Sequence, residues 1–239
     1  MKKPTFSDWL RQALLFARRG PGVWAGYTLF TGVVLVLGRV SLLLGILVSV
    51  TCLFVGVGVA KYIDLKSKVE HPVGFYWALK KSLPLAVLAA GTIVIFWFGF
   101  MAVANLLTGE LYKIGRFFFF WELTPENLNH KSTREIADWV YAYANITLIF
   151  TLLMLTTFAS WFSYPLMLFK NDSWSEALAK GNQAVARHQS AIYKMVGFIF
   201  AEAILCTTVT PLLTPILYML TSTMMYVSYQ SVFEASKAN

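Results

Sequence analysis

Between Gly22 and Ala60 the chain carries one charged residue, Arg39. A run of roughly 40 apolar residues is about twice what one helix needs to cross the hydrocarbon of a bilayer. In lipid, every backbone group of such a run must be bonded within the segment, which leaves the helix as the only open choice. The run therefore has to fold as two helices back to back, and Gly38-Arg39 is the one polar break at which it can turn. This predicts spans over 22–37 and 41–60 joined by a tight hairpin, which is also short enough to be partly re-entrant.

The rest of the chain has the same character. Apolar residues make up 57% of it and charged residues 13%, about half the charge of an ordinary soluble domain. The mean hydropathy is +0.61. A soluble fold of this size would lack the charge to cover its surface, so the expected class is all-α: a polytopic membrane helical bundle forming a single domain over 1–239. The apolar runs predict four further spans, over 84–106, 140–164, 191–208 and from Pro211 to Phe233, for about six in all. The start, Met1-Lys2-Lys3-Pro4, has the charge of a signal peptide, but no apolar core with a small-residue cleavage site follows before Arg18-Arg19, so the first run is expected to be retained.

Between the spans the sequence predicts amphipathic helices. Residues 5–19 place Phe6, Leu10, Ala13, Leu14 and Ala17 at helical spacing, with Ser7 and Asp8 at the start and two arginines at the end. That helix is too short and too charged to span. It is suited to lying in the interface or to packing on the ends of the bundle, and the two roles are compatible. Residues 71–83 predict a second surface helix before the third span, and Ser173 or Ser175 with Glu176 caps a third. The segment 107–138 holds the run Phe117 to Trp121 and is expected on the outer face, because aromatic residues favour the headgroup zone. There Ser132 or Thr133 would start a short helix towards Trp139. The tail from Glu234 is expected to be poorly ordered.

A net charge of +8 suggests nucleic acid in a soluble protein. Here the cations flank apolar runs, which excludes that reading and points to an anionic membrane face. Fifteen of the twenty lysines and arginines fall on the side that carries both termini. The positive-inside rule then predicts that both ends are cytoplasmic. Three units, about 5–60, 73–164 and 173–233, each read as a surface helix plus a pair of spans. They would be parallel repeats, since each enters and leaves on one side.

The stretch Phe162-Ser163-Tyr164-Pro165-Leu166-Met167, then Asn171-Asp172-Ser173 and Glu176-Ala177-Leu178, resembles bacterial inner-membrane proteins of the BPSS1780 type. So does the closing Tyr226-Val227-Ser228-Tyr229-Gln230-Ser231-Val232-Phe233, and more loosely Gly56-Val57-Gly58-Val59-Ala60. The segment around Phe117 to His130 departs from that pattern. The resemblance implies a six-helix protein of a bacterial inner membrane, and it supplies topology and not chemistry.

Candidate chemistry is sparse. Glu202 is the one acid inside a span, about 18 Å along its helix at 1.5 Å per residue. A carboxylate at that depth is costly and must be protonated, paired or turned to a wet cavity. It marks either a functional site or a hydrogen bond that holds the bundle together. Asn105, Asn145 and Arg39 fall towards the same side and, with Glu202, form the candidate intramembrane polar site. Gly22-x-x-x-Gly26 has the form of a helix-packing motif. Cys52 and Cys206 read as small core residues and Met219, Met224 and Met225 as packing. His71, His130 and His188 lie outside the spans, and no two share metal-ligand spacing. No phosphate loop, nucleophile elbow or zinc-protease helix is present, so no catalytic residue, metal or cofactor is expected. The expected partners are the lipid bilayer and a protein within the membrane. The favoured reading is a non-catalytic accessory or assembly subunit of a larger membrane complex. The alternative is a small transporter or lipid-handling protein with a polar pocket around Glu202. A dry bundle with an exposed apolar groove would speak for the first, and a wet cavity reaching Glu202 for the second.

Overall fold

A computed structural model describes residues 4–68 and 75–234; the reading of His71, the start of the second surface helix and the tail beyond Glu234 lie outside those residues. The described chain is helical throughout. α1 (Phe6–Ala17) precedes the hairpin of α2 (Pro21–Val34) and α3 (Leu42–Lys68), which turns through a 3₁₀ segment, Leu35–Arg39. α4 (Phe75–Thr108) leads to two short helices, α5 (Tyr112–Phe118) and α6 (Pro125–Asn129), and then to α7 (Thr133–Thr157). α8 (Ser163–Lys170) and α9 (Trp174–Arg187) come before α10 (Gln189–Thr208). The chain closes with α11 (Thr214–Tyr229) and a π-helical turn, Gln230–Glu234.

Five of these helices are long and apolar enough to cross a membrane, those of 21–39, 42–67, 78–108, 133–157 and 189–208. The protein is a multi-pass helical membrane protein. The sixth expected span is α11, whose 16 residues rise only about 24 Å, and the π-turn carries the helical backbone on to Glu234. α11 is also the centre of the bundle, packed on α1, α2, α3 and α10. Its polar side chains are satisfied along its own backbone. Thr221, Ser222 and Thr223 donate to the carbonyls of Leu217, Tyr218 and Met219, and the Ser222 hydroxyl also contacts Leu53 O on α3 at 2.7 Å. Lipid cannot serve these groups, so internal bonding is what permits a Ser/Thr-rich helix at the core.

Three boundaries differ from those read in the sequence. The third span and the described part of the surface helix before it are one helix, α4, running through Pro84. The break a proline favours, about 3 kcal/mol in a helix interior, is offset by close packing on α3. A Cβ on Gly58 would lie 2.7 Å from Ser82 Cβ, so the two backbones nearly touch there. The fourth span starts earlier and ends earlier than expected. Ser132 and Glu135 form a reciprocal capping box that opens α7 itself, not a separate short helix. Pro165, expected to end that span, lies in the first turn of α8, where its missing N–H costs little.

The two ends of the bundle are distinct. At the basic end, α1 docks through Trp9, whose indole donates to Ser231 Oγ at 2.7 Å, and α9 lies beside α8. At the opposite end, residues 117–122 fold over the α2–α3 turn. Phe120 N–H and Trp121 N–H donate to Val40 O, and Glu122 N–H donates to Arg39 O. Trp121 adopts a φ of 29°, uncommon for a bulky residue. Phe117 is the buried member of the aromatic run, whereas Phe118, Phe119 and Trp121 stay exposed. Glu234, read as part of a disordered tail, is instead ion-paired to Lys61 at 2.8 Å.

Candidate functional site

The three helices that leave the N-terminal half do not close on one another. α4 is fastened along α3 by the Gly58–Ser82 contact, while α2 leans on α11. Tyr27 ties α2 to α3, its hydroxyl donating to Cys52 O at 2.8 Å. A Cβ on Gly56 would collide with Ser222 of α11 and with the Tyr27 hydroxyl, so α3 and α11 lie close together there, with the tip of Tyr27 reaching the same point. What remains is a wedge, with α2 and α4 as its walls and α3 as its floor. Its volume is about 720 Å³.

The wedge is apolar from end to end. It runs along α2 from Gly22 to Val34 and along α3 from Leu47 to Tyr62, with Phe75 and Leu79 of α4 at one end. Fifteen residue steps on α3 correspond to about 22 Å, most of the hydrocarbon thickness. Gly22 and Gly26 lie on its wall with nothing within 4 Å of the position a Cβ would take. The small-residue motif is thus not used for packing inside this chain. Tyr27, Thr51, Cys52 and Tyr62 are the lining residues that carry a polar side-chain atom; the Tyr27 hydroxyl is engaged by Cys52 O, and Thr51 Oγ1 is buried without a hydrogen-bond partner among the described residues.

The four polar residues singled out in the sequence fall elsewhere. Arg39 is engaged at the hairpin tip, 3.0 Å from Glu122 Oε2, donating to Trp139 O and lying 4.8 Å over the Trp139 ring. Asn145 is fully buried on α7 and donates to Thr214 Oγ1 at 3.0 Å. Asn105 sits on α4, which packs on α3 and α5, whereas Glu202 is half-buried on α10, which packs on α7 and α11. None of the four lines the wedge. Cys52 and Cys206 are buried free thiols. His188 packs its ring near Trp9, with centroids 6.1 Å apart.

A fifth polar residue, Asp64, is not among those singled out by depth in an apolar run. Asp64, 1% exposed, accepts from the Tyr226 hydroxyl at 2.8 Å and from Gln230 Nε2 at 3.2 Å, with Arg19 at 4.0 Å. It ties α1, α3 and the end of α11 together. The signal was present: Val57, Ala60 and Asp64 follow helical spacing, so Asp64 continues the buried stripe beyond the apolar run. Beside it, Lys61 holds Glu234 and lies over the Phe169 and Tyr226 rings. The π-turn is therefore held by charge at Glu234 and by the Trp9 indole at Ser231, while the Trp161 indole donates to Ser228 Oγ at 2.9 Å near the end of α11.

The arrangement can hold an apolar, elongated object. Among the described residues no cluster of metal-binding side chains occurs. Comparison with models of known families, with curated proteins and with solved structures returned no match for this chain.

Proposed function

We propose that this protein is a non-catalytic accessory or assembly subunit of a larger complex in a bacterial inner membrane, with both termini cytoplasmic. Its α2–α4 wedge seats a transmembrane helix of a protein partner. The observation that carries this reading is the wedge itself: about 720 Å³, apolar, open to the side and walled by Gly22 and Gly26 with free space above both. Helices associate in lipid by close backbone approach at small residues and by scattered hydrogen bonds. The bare glycines allow the first, which an acyl chain does not need. Of the polar residues that a transport pathway would use, Arg39 and Asn145 are engaged with Glu122 and Thr214, and Asn105 and Glu202 do not line the wedge. The inner-membrane assignment rests on the resemblance of the last third and on the one-sided lysine and arginine distribution.

The test is photo-crosslinking in cells at native expression, with the probe at Phe30 or Leu83 in the wedge and at Ile204 on the exposed face of α10 as control. A single protein adduct from both wedge positions, absent at Ile204 and lost on Gly26→Leu in a protein that stays monodisperse, is expected. Lipid adducts alone at all three positions, from a protein that purifies by itself, would refute the assembly role.

A further inference from the structure

At the basic end a second hollow, of about 350 Å³, lies between α8, α9 and the π-turn. Three cations face it, Lys170, Lys180 and Arg187, beside His188 and Gln183, while Val232 and Phe233 form an apolar wall. Two carboxylates answer Lys180: Asp172 Oδ1 lies 2.7 Å from its Nζ, and Glu176, one helical turn before it, adds a second negative charge nearby. Lys170 Nζ sits 4.8 Å over the Phe233 ring, and Arg187 has no ion pair among the described residues. Lys170 and Arg187 are thus two cations without an ion pair among the described residues, gathered at one concavity beside an interfacial helix. α9 is anchored by its capping box at Ser173 and Glu176 and by a close approach of Gly181 to Ser160, where an added Cβ would be 2.6 Å from the hydroxyl.

We propose that this hollow binds the phosphate of an anionic phospholipid headgroup. The chemistry is that of phosphate recognition, a guanidinium fork with ammonium point charges around it. The apolar wall selects a lipid over a free anion, because Val232 and Phe233 give the glycerol and upper acyl carbons a surface that inorganic phosphate does not need. The depth agrees: Trp174, 53% exposed at the start of α9, is the residue type that settles at headgroup level. Basic pockets between helices at such a membrane face are suited to lipid phosphates. The site is independent of the wedge, which lies on α2, α3 and α4.

The experiment uses the full chain in an uncharged detergent, titrated with short-chain phosphatidylglycerol, short-chain phosphatidylcholine or inorganic phosphate, with bound lipid counted by native mass spectrometry. Phosphatidylglycerol is expected to bind at low stoichiometry, in a salt-sensitive manner, and phosphatidylcholine not to compete. The double substitution Lys170→Gln with Arg187→Gln should weaken binding roughly thirtyfold, at about fivefold per cation. Lys113→Gln with Arg116→Gln, which removes equal charge at the other end, should leave it unchanged. Lys170→Arg with Arg187→Lys, which keeps the charge, should retain most of the affinity and shows that any loss is not a folding defect. Equal loss in both neutralised proteins would reduce the effect to net charge and overturn the site. Displacement of the lipid by inorganic phosphate at equal concentration would overturn its assignment to a lipid.

Discussion

Replacing Gly58 by alanine should destabilise the protein, although alanine is the better helix former by about 1 kcal/mol. The new Cβ would sit 2.7 Å from both Cβ and Oγ of Ser82 and 3.7 Å from Ala78 O. Ser82 Cβ is fixed by its own backbone, and its hydroxyl is bonded to Ala78 O at 2.8 Å, so no rotamer change relieves the contact. α3 and α4 must move apart by somewhat under 1 Å, and a close-packed seam loses contacts along its length. Overpacking of this kind costs about 1–3 kcal/mol. Ser82→Gly removes the obstacle at a cost of about 0.5–1 kcal/mol for glycine in a helix. The double variant should therefore return close to the parent, with a coupling free energy of about 1–3 kcal/mol between the two sites. Unfolding in mixed micelles by a denaturing detergent, followed by tryptophan fluorescence, measures all four corners of the cycle. Additive effects, or a Gly58→Ala protein more stable than the parent, would refute the backbone-contact account of how α4 is held on α3.

Other outcomes follow from particular contacts. Tyr226→Phe should cost about 1–3 kcal/mol in the same assay, because Asp64 stays buried with one donor fewer. Arg39→Gln frees Glu122 and the Trp139 ring together, so hydrogen exchange should speed up across residues 117–131 while the unfolding midpoint of the bundle moves little. Bonds from the Ser173 backbone N–H, then from its hydroxyl, hold the Glu176 carboxyl below its usual range. A depressed carboxyl stabilises α9 above its unfolded value, near pH 4.3, and the contribution is lost as pH falls through the lower folded value. Protection factors of the α9 amides, taken relative to the intrinsic exchange rate at each pH, should fall on acidification, and Glu176→Gln should remove that acid limb.

The sequence carried the membrane class, the hairpin at Gly38-Arg39 and the start of α9, because each rests on local chemistry. An uncharged run twice a bilayer in length has one solution, and a serine three residues before a glutamate closes a capping box whatever lies around it. It also led to the long helices while misplacing their ends, and it did not mark α5, α6 or α8 as helices of their own. Pro84 and Pro165 read alike as breakers, and only packing decided that one is accommodated against Gly58 of α3 and the other falls in a first turn.

Which helix is central was not legible. In water a helix declares its buried side by alternation of polar and apolar residues, but a bilayer is as apolar as a protein core, so that contrast vanishes in the spans. α4 and α3 look alike as sequences, yet 17% of the apolar stretch of one and 61% of that of the other is buried. α11, rich in serine and threonine, is the innermost. Asp64 and Glu202 show the same division. Sequence marks the acid deep in an apolar run as the costly one, whereas tertiary structure spends its polar partners on Asp64, where α1, α3 and α11 meet. The wedge belongs wholly to the second category: it exists because α4 follows α3 while α2 follows α11, and no single helix encodes the space between them.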